Sequence, residues 1–154
     1  MKKLIIVRHG HYDMDEGGFH LNDQGRDEMR RLVESVRGLL NADSTLILTS
    51  TANRARESAE LIAAFLKIKN VEEHEILLSD RSRPEDFPGV LKLIRTVKDG
   101  VDTLVLVTHL EYAKYFPSFF GEEELGAKLD YLLEIKKGQA WVIDCLQKNI
   151  FLIP

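Results

Sequence analysis

Residues 4–10, Leu4-Ile5-Ile6-Val7-Arg8-His9-Gly10, decide how this chain is read. The first four are apolar and mostly β-branched, the composition of a buried strand. A fixed cation, an imidazole and a glycine follow in that order, just past the strand's carboxyl end. Open α/β sheets bind ligands in the crevice outside those ends. Arginine holds a phosphate through parallel N–H donors, and a neutral histidine beside it can attack phosphorus. Glycine permits a tight turn and close approach of a ligand.

Working outward, residues 10–20 read as a polar loop containing Gly17 and Gly18. Asn22 is the expected N-cap of a helix over about 22–40, whose inner face is Met29, Leu32, Val33, Val36, Leu39 and Leu40. Leu46-Ile47-Leu48 is a second buried strand, running into Thr49-Ser50-Thr51. A helix to about residue 67 follows, facing inward with Ala55, Ala59, Ile62, Ala63 and Leu66. A weaker strand is expected over 71–78, a charged, proline-containing loop over 79–88 and a helix over 88–98. Thr103–Thr108 is a central strand ended by His109. The aromatic stretch beyond it is expected to be helical and interrupted by Pro117. Segments 130–136, 140–145 and 149–153 read as strands, joined by turns at Lys137-Gly138 and Gln147-Lys148-Asn149. This order predicts an α/β fold, a three-layer α/β/α sandwich around a mostly parallel central sheet with an antiparallel C-terminal edge.

Composition limits the function classes. The 154 residues suit one domain spanning 1–154, and a 44% hydrophobic, 30% charged make-up is that of an ordinary globular protein. No apolar run approaches the length of a membrane span, and the four apolar residues after Met1-Lys2-Lys3 are too few for a signal peptide. The lone cysteine, Cys145, fits a reducing, cytoplasmic setting, and its place in a predicted strand suggests a buried small hydrophobe. A net charge of −4 argues against general attraction to nucleic acid. An anion site here must be a local cationic pocket.

Three parallel strand ends supply one. The first carries Arg8 and His9, the second runs into Ser50 and a helix bearing Arg54 and Arg56, and another ends in His109. Two imidazoles and two or more guanidiniums gathered in one place need an anion between them. The open N-terminus of the helix near Ser50 offers backbone N–H donors as well.

Four segments, in order, resemble the histidine phosphatase superfamily, the phosphoglycerate mutase-like fold. LIIVRHGH is similar to its strand and Arg-His-Gly tripeptide. LNDQGRDEMRRL resembles its Leu-Thr-x-x-Gly-x-x-Gln helix start, with Asn22 in place of threonine. LTSTANRARESAELIA resembles its Ser-x-x-x-Arg-Ala-x-x-Thr-Ala helix through Ser50, Arg54, Ala55, Ser58 and Ala59, and LVLVTHL resembles the strand ending in its second histidine. The resemblance implies a phosphatase acting on a phosphomonoester or phosphoramidate through a phosphohistidine intermediate on His9. Arg8, Arg54 and His109 would hold the phosphoryl oxygens; from the residues themselves, Gly10 and, on one reading of its loop, Arg81 are expected at the substrate site as well. No metal and no organic cofactor are implied. The substrate would be a phosphorylated small molecule or a phosphoprotein, with no nucleic-acid or membrane partner. Residues 55–108 leave no room for the longer insertion of the family's mutases, so the chain is similar in size to its compact phosphohistidine phosphatases.

The chain also departs from the family. The usual leaving-group acid is a glutamate after the third strand, where Asp80 is nearest by position. In a second branch an aspartate follows the second histidine directly; here Leu110 intervenes before Glu111. Asp80 is the favoured acid and Glu111 the other candidate. These departures keep open a catalytically weak or inactive member that binds phosphorylated ligands, and His9-Gly10-His11 keeps open a metal-ligand pair. Of the remaining residues, His11 and His20 read as rim positions, His74 as surface, and Arg56 and Glu57 as a solvated pair. Arg81 and Arg83 are either pocket extensions or an exposed charged loop. The run Tyr112, Tyr115, Phe116, Phe119, Phe120 reads mainly as core, with an apolar wall beside His109 or a dimer patch as the other reading.

Overall fold

A computed structural model describes all residues, 1–154. A six-stranded sheet contains β1 (Lys3–Arg8), β4 (Thr45–Thr49), β5 (Asn70–Glu73), β6 (Thr103–Thr108), β7 (Ala140–Asp144) and β8 (Asn149–Ile153), in the order β5-β4-β6-β1-β7-β8. Strands β1, β4, β5 and β6 are parallel, and β7 and β8 add the antiparallel edge expected from the sequence. Successive side chains of a strand point to opposite faces. Ile5, Val7, Ile47, Val105 and Val107 therefore pack under α1 (Asp23–Val36) and α2 (Asn53–Leu66). Leu4, Ile6, Leu46, Leu48, Leu104 and Leu106 pack under α3 (Phe87–Val97) and α4 (Leu110–Phe120). These are the three layers of the predicted sandwich.

Helix starts follow local chemistry. The Asn22 side chain accepts the Gly25 N–H at 2.9 Å and caps α1, and Asp86 caps α3 by accepting from Gly89. Helix α2 starts after Ala52 without a side-chain cap, leaving the N-terminal donors open as expected.

Five local expectations need correction. Residues 10–20 are not simply a loop: β2 (Tyr12–Asp15) and β3 (Gly18–Leu21) form a hairpin whose turn uses Gly18 at φ +110°. The third strand covers only Asn70–Glu73, all exposed at the sheet edge, and Glu75–Leu77 tighten into a 3₁₀ turn that drops Leu77 into the core. Pro117 does not interrupt α4. The Tyr131 hydroxyl accepts from the Ser118 N–H and donates to the Lys114 carbonyl, satisfying the turn that proline loosens. Residues 130–136 are irregular, because Leu132 and Leu133 are exposed and the Ile135 carbonyl serves Arg8 rather than a neighbouring strand. Cys145 lies half-buried in the turn after β7, where burial pushes its thiol up to about 11.

The aromatic run is mainly core: Tyr112, Phe116 and Phe120 are fully buried, Phe119 packs near Phe87, and Tyr115 is exposed.

Gly10 owes its place to packing. A Cβ there would stand 2.8 Å from the Gly25 carbonyl oxygen, and a Cβ on Gly25 would stand 2.1 Å from that of His11. The loop after β1 thus lies directly on the first turn of α1. Replacing Gly25 by alanine gains about 1 kcal/mol of helix propensity but forces two backbones apart. Overpacking of that kind costs about 1–3 kcal/mol, and here no side chain can yield. Gly25→Ala is expected to lower the urea midpoint; an unchanged midpoint would contradict this packing.

Candidate active site

Parallel pairing places the site. Arg8 stands opposite Thr108 and Thr49 opposite Val107 in register. Beyond the paired residues, the His9 N–H donates to Thr108 O and the Ser50 N–H to Val107 O, both at 3.0 Å. His9, Ser50 and His109 are thereby held at one sheet edge. All three are buried, and the two imidazole rings lie 5.2 Å apart.

The hydrogen bonds select the tautomers. Arginine can only donate. Arg54 Nε lies 3.3 Å from His9 Nε2, so that nitrogen carries the lone pair, while Nδ1–H donates to Gly10 O at 2.9 Å. Arg54 Nη2 lies 3.4 Å from His109 Nδ1, leaving Nε2–H to donate to Ser50 Oγ at 2.8 Å. The Ala52 N–H also donates to Ser50 Oγ. Arg54 therefore spans both rings. Its guanidinium is stacked 4.9 Å from the Tyr12 ring centroid and 5.7 Å from that of Phe19, both on the hairpin. Arg8 Nη1 donates to Ile135 O at 2.9 Å, and its Nε is buried with no partner. The hydrogen bonds of neither guanidinium go to a carboxylate.

Both imidazoles are kept neutral. Burial, then the neighbouring His109 and the two guanidiniums, pushes His9 down to about 3, against the upward pull of its Gly10 hydrogen bond. Burial and the same guanidiniums push His109 down to about 4. An unfolded histidine takes its proton near pH 6.5. As pH falls from there, the unfolded chain binds protons that the folded site refuses, so stability is lost on acidification and regained as pH rises. His20, raised mainly by its hydrogen bond to Glu57, acts in the opposite sense. Urea midpoints are expected to fall between pH 7 and pH 4.5, and to fall less in a His9→Ala/His109→Ala double variant. Equal slopes in the two proteins would contradict the buried neutral pair.

The cleft, of about 720 Å³, is lined by Arg8, His9, Tyr12, Phe19, Arg54, Arg81, His109, Leu110, Glu111 and Lys137, with Ser79, Asp80 and Ser82 on the loop before α3. The structure thus brings together Arg8, His9, Arg54, His109, Asp80, Glu111 and Arg81. Gly10 is not on the cleft wall; it is buried against Gly25, with its N–H on Ser58 Oγ. Asp80 is exposed, and its Oδ1 accepts from the Ser82 hydroxyl and the Ser82 and Arg83 N–H groups. The Ser82 hydroxyl foremost holds this carboxyl below the usual carboxylate range. Glu111 is half-buried on the first turn of α4, with Oε2 3.4 Å from Ser79 Oγ. Arg83 pairs with Glu75 at 3.1 Å and stays off the cleft.

The outer histidines are structural. His11 Nδ1 lies 2.5 Å from Glu28 Oε1, and His20 Nδ1 lies 2.5 Å from Glu57 Oε1. The same two carboxylates accept the His11 and Leu21 N–H groups, so each end of the hairpin is tied to a helix. Glu57 is therefore not the partner of Arg56, which bonds Asn53 instead. His74 sits beside Glu72 at the surface. No group of three or more His, Cys, Asp or Glu side chains is placed to hold a metal ion.

Sequence reasoning missed Lys137, the Ile135 carbonyl and the Tyr12–Phe19 wall. The turn Asp15-Glu16-Gly17-Gly18 between Tyr12 and Phe19 was the available signal for the last of these.

The model of the histidine phosphatase superfamily, branch 1, matches residues 4–78. Over that stretch, just under half of the chain, the sequence is similar to that superfamily. The matched stretch contains Arg8, His9 and Arg54 of the cleft. Among solved structures, the protein histidine phosphatase SixA complexed with tungstate is similar over 99% of this chain and 94% of its own, at 18% identity and a TM-score of 0.69. Phosphoserine phosphatase from Entamoeba histolytica in complex with 3-phosphoglyceric acid matches 100% of this chain and 96% of its own, at 16% identity and TM-score 0.63. The mycobacterial glucosyl-3-phosphoglycerate phosphatase complexed with VO3 matches 100% and 98%, at 14% identity and TM-score 0.62. At such identities the likeness establishes the phosphoglycerate mutase-like fold. No curated protein sequence matches the chain.

Proposed function

We propose that this chain is a phosphatase that works without a metal ion, through a phosphohistidine on His9. The observation that carries the reading is the neutral Nε2 of His9, aimed at a guanidinium that has no carboxylate to pair with. Its substrate is a phosphomonoester or phosphoramidate. A phosphoryl group entering the cleft takes up the Arg54 donors in place of their long contacts to the imidazoles, together with the Arg8 donors that Ile135 O does not hold, and the Ser50 hydroxyl then donates to His109 Nε2, so that the ring carries its proton on Nδ1 and gives that N–H to the phosphoryl group. The lone pair on His9 Nε2 forms the N–P bond as the bond from phosphorus to the leaving oxygen or nitrogen breaks. The His9 Nδ1–H to Gly10 O bond fixes the ring and shares its developing charge. Water then attacks phosphorus, the N–P bond breaks and inorganic phosphate leaves.

The leaving group needs a proton. Asp80, held ionised by three donors, is poorly suited to give one. We assign the proton to Glu111, half-buried on the cleft wall. The test is hydrolysis of an aryl phosphate and an alkyl phosphate in EDTA. Wild type is expected to turn over both. Glu111→Gln is expected to lose about 10²-fold on the alkyl ester, whose leaving group needs the acid, and far less on the aryl ester. Activity abolished by EDTA and restored by a divalent ion would overturn the metal-free reading. Equal loss on both esters would remove the role of Glu111.

A further inference from the structure

A second cleft, of about 780 Å³, lies beside the first between α1 and the turn Lys136–Gln139, and Lys137 lines both. No hydrophobic side chain lines this second cleft. The turn is bolted to the catalytic strand: the Gly138 N–H donates to the carbonyls of Arg8 and His9 at 3.0 and 3.2 Å. Gly138 takes φ +78°, and a Cβ there would stand 2.5 Å from Cβ of Glu28. The Lys137 ammonium is held 4.5 Å from the Tyr12 ring centroid, above the ring that also stacks Arg54.

The charges of the second cleft do not cancel locally. Of its two glutamates, Glu34 is paired with Arg37, and Glu28 is hydrogen-bonded to the His11 ring and backbone N–H. Arg31, Lys136 and Lys137 have no ion-pair partner. Three unpaired cations thus continue the phosphoryl pocket along one side, on a protein of net charge −4. Such a stripe attracts a chain of opposite sign and orients it.

We propose that this cleft is a docking groove for acidic residues flanking the phosphorylated residue of a protein substrate. Lys137 meets the group next to the phosphoryl, and Lys136 and Arg31 meet the carboxylates beyond it. The proposal rests on the reading of the His9 cleft as the phosphoryl site.

The test uses an Arg31→Glu/Lys136→Glu variant, both residues being exposed and outside the phosphoryl cleft. An aryl phosphate and two phosphopeptides, one with glutamates and one with glutamines flanking the phosphorylated residue, are compared at low salt. Wild type is expected to favour the acidic peptide through KM. The variant is expected to lose that preference, about tenfold for two reversed surface charges, with aryl phosphate hydrolysis unchanged. Binding of the same acidic peptide without its phosphate is measured by fluorescence anisotropy, which needs no turnover. It is expected in wild type, weakened in the variant and weakened by salt. Turnover of the aryl phosphate with equal rates on both peptides and no anisotropy change would overturn the groove while leaving the phosphatase standing. No turnover of any substrate, with peptide binding intact, would overturn the phosphatase instead.

Discussion

Replacing His9 by alanine is expected to remove hydrolysis of an aryl phosphate, by about 10⁴-fold or more, with the fold retained. No other side chain is placed to take over. His109 is the nearest imidazole, but its Nε2 is engaged with buried Ser50 and its Nδ1 faces Arg54. Tyr12 packs against His9 by its ring, at 5.3 Å between centroids. The His9 imidazole is itself buried with its proton excluded, so removing it takes away a group that disfavours folding at acid pH. The variant is therefore expected to keep its circular-dichroism spectrum and unfold cooperatively. Full activity in His9→Ala would end the account. A wild type that binds vanadate or phosphate but turns over nothing would instead favour the binding-only relative.

The second large effect is expected at Arg54. Arg54→Ala removes the donor that spans both imidazoles and that, in the proposed mechanism, meets the phosphoryl oxygens as charge develops on them. Loss of one such donor costs about 10²–10³ in kcat. Arg54→Lys is expected to recover little, because a point charge on a flexible stem cannot reach both rings as a fork does. A second readout separates this role from a structural one. The Arg54 charge helps hold down the pKa values of His9 and His109, so its removal raises both. NMR titration of the two rings in Arg54→Ala should show both midpoints moving up. Unchanged midpoints with unchanged kcat would place Arg54 outside the site.

Much of this arrangement was legible in the sequence, for physical reasons. Buried parallel strands read as continuous β-branched runs, so β1, β4 and β6 declared themselves and their ends located Arg8, Ser50 and His109. The inner faces of α1 and α2 followed from helical spacing, and Asn22 from capping chemistry. What stayed hidden depends on contacts between distant residues. The Tyr12–Phe19 hairpin is held by Glu28 and Glu57, carboxylates on two helices that no local pattern ties to His11 and His20. Segment 130–136 carries strand-like apolar residues, yet Ile135 turns its carbonyl to Arg8, a partner 127 residues away. Lys137 reached the cleft because Gly138 anchors its turn to the β1 backbone. Asp80 matched an acid by position alone, and the Ser82–Arg83 turn that occupies its carboxylate is visible only once the loop has folded.

The most direct test is to quench wild type rapidly during turnover of a phosphoryl-labelled substrate and to ask where the label sits. Label is expected on the intact protein, stable to alkali and lost in acid as a phosphoramidate is, mapping by mass spectrometry to the peptide that contains His9, and absent in His9→Ala. Turnover without any protein-bound label, or a label that survives acid or maps elsewhere, would contradict a phosphohistidine on His9.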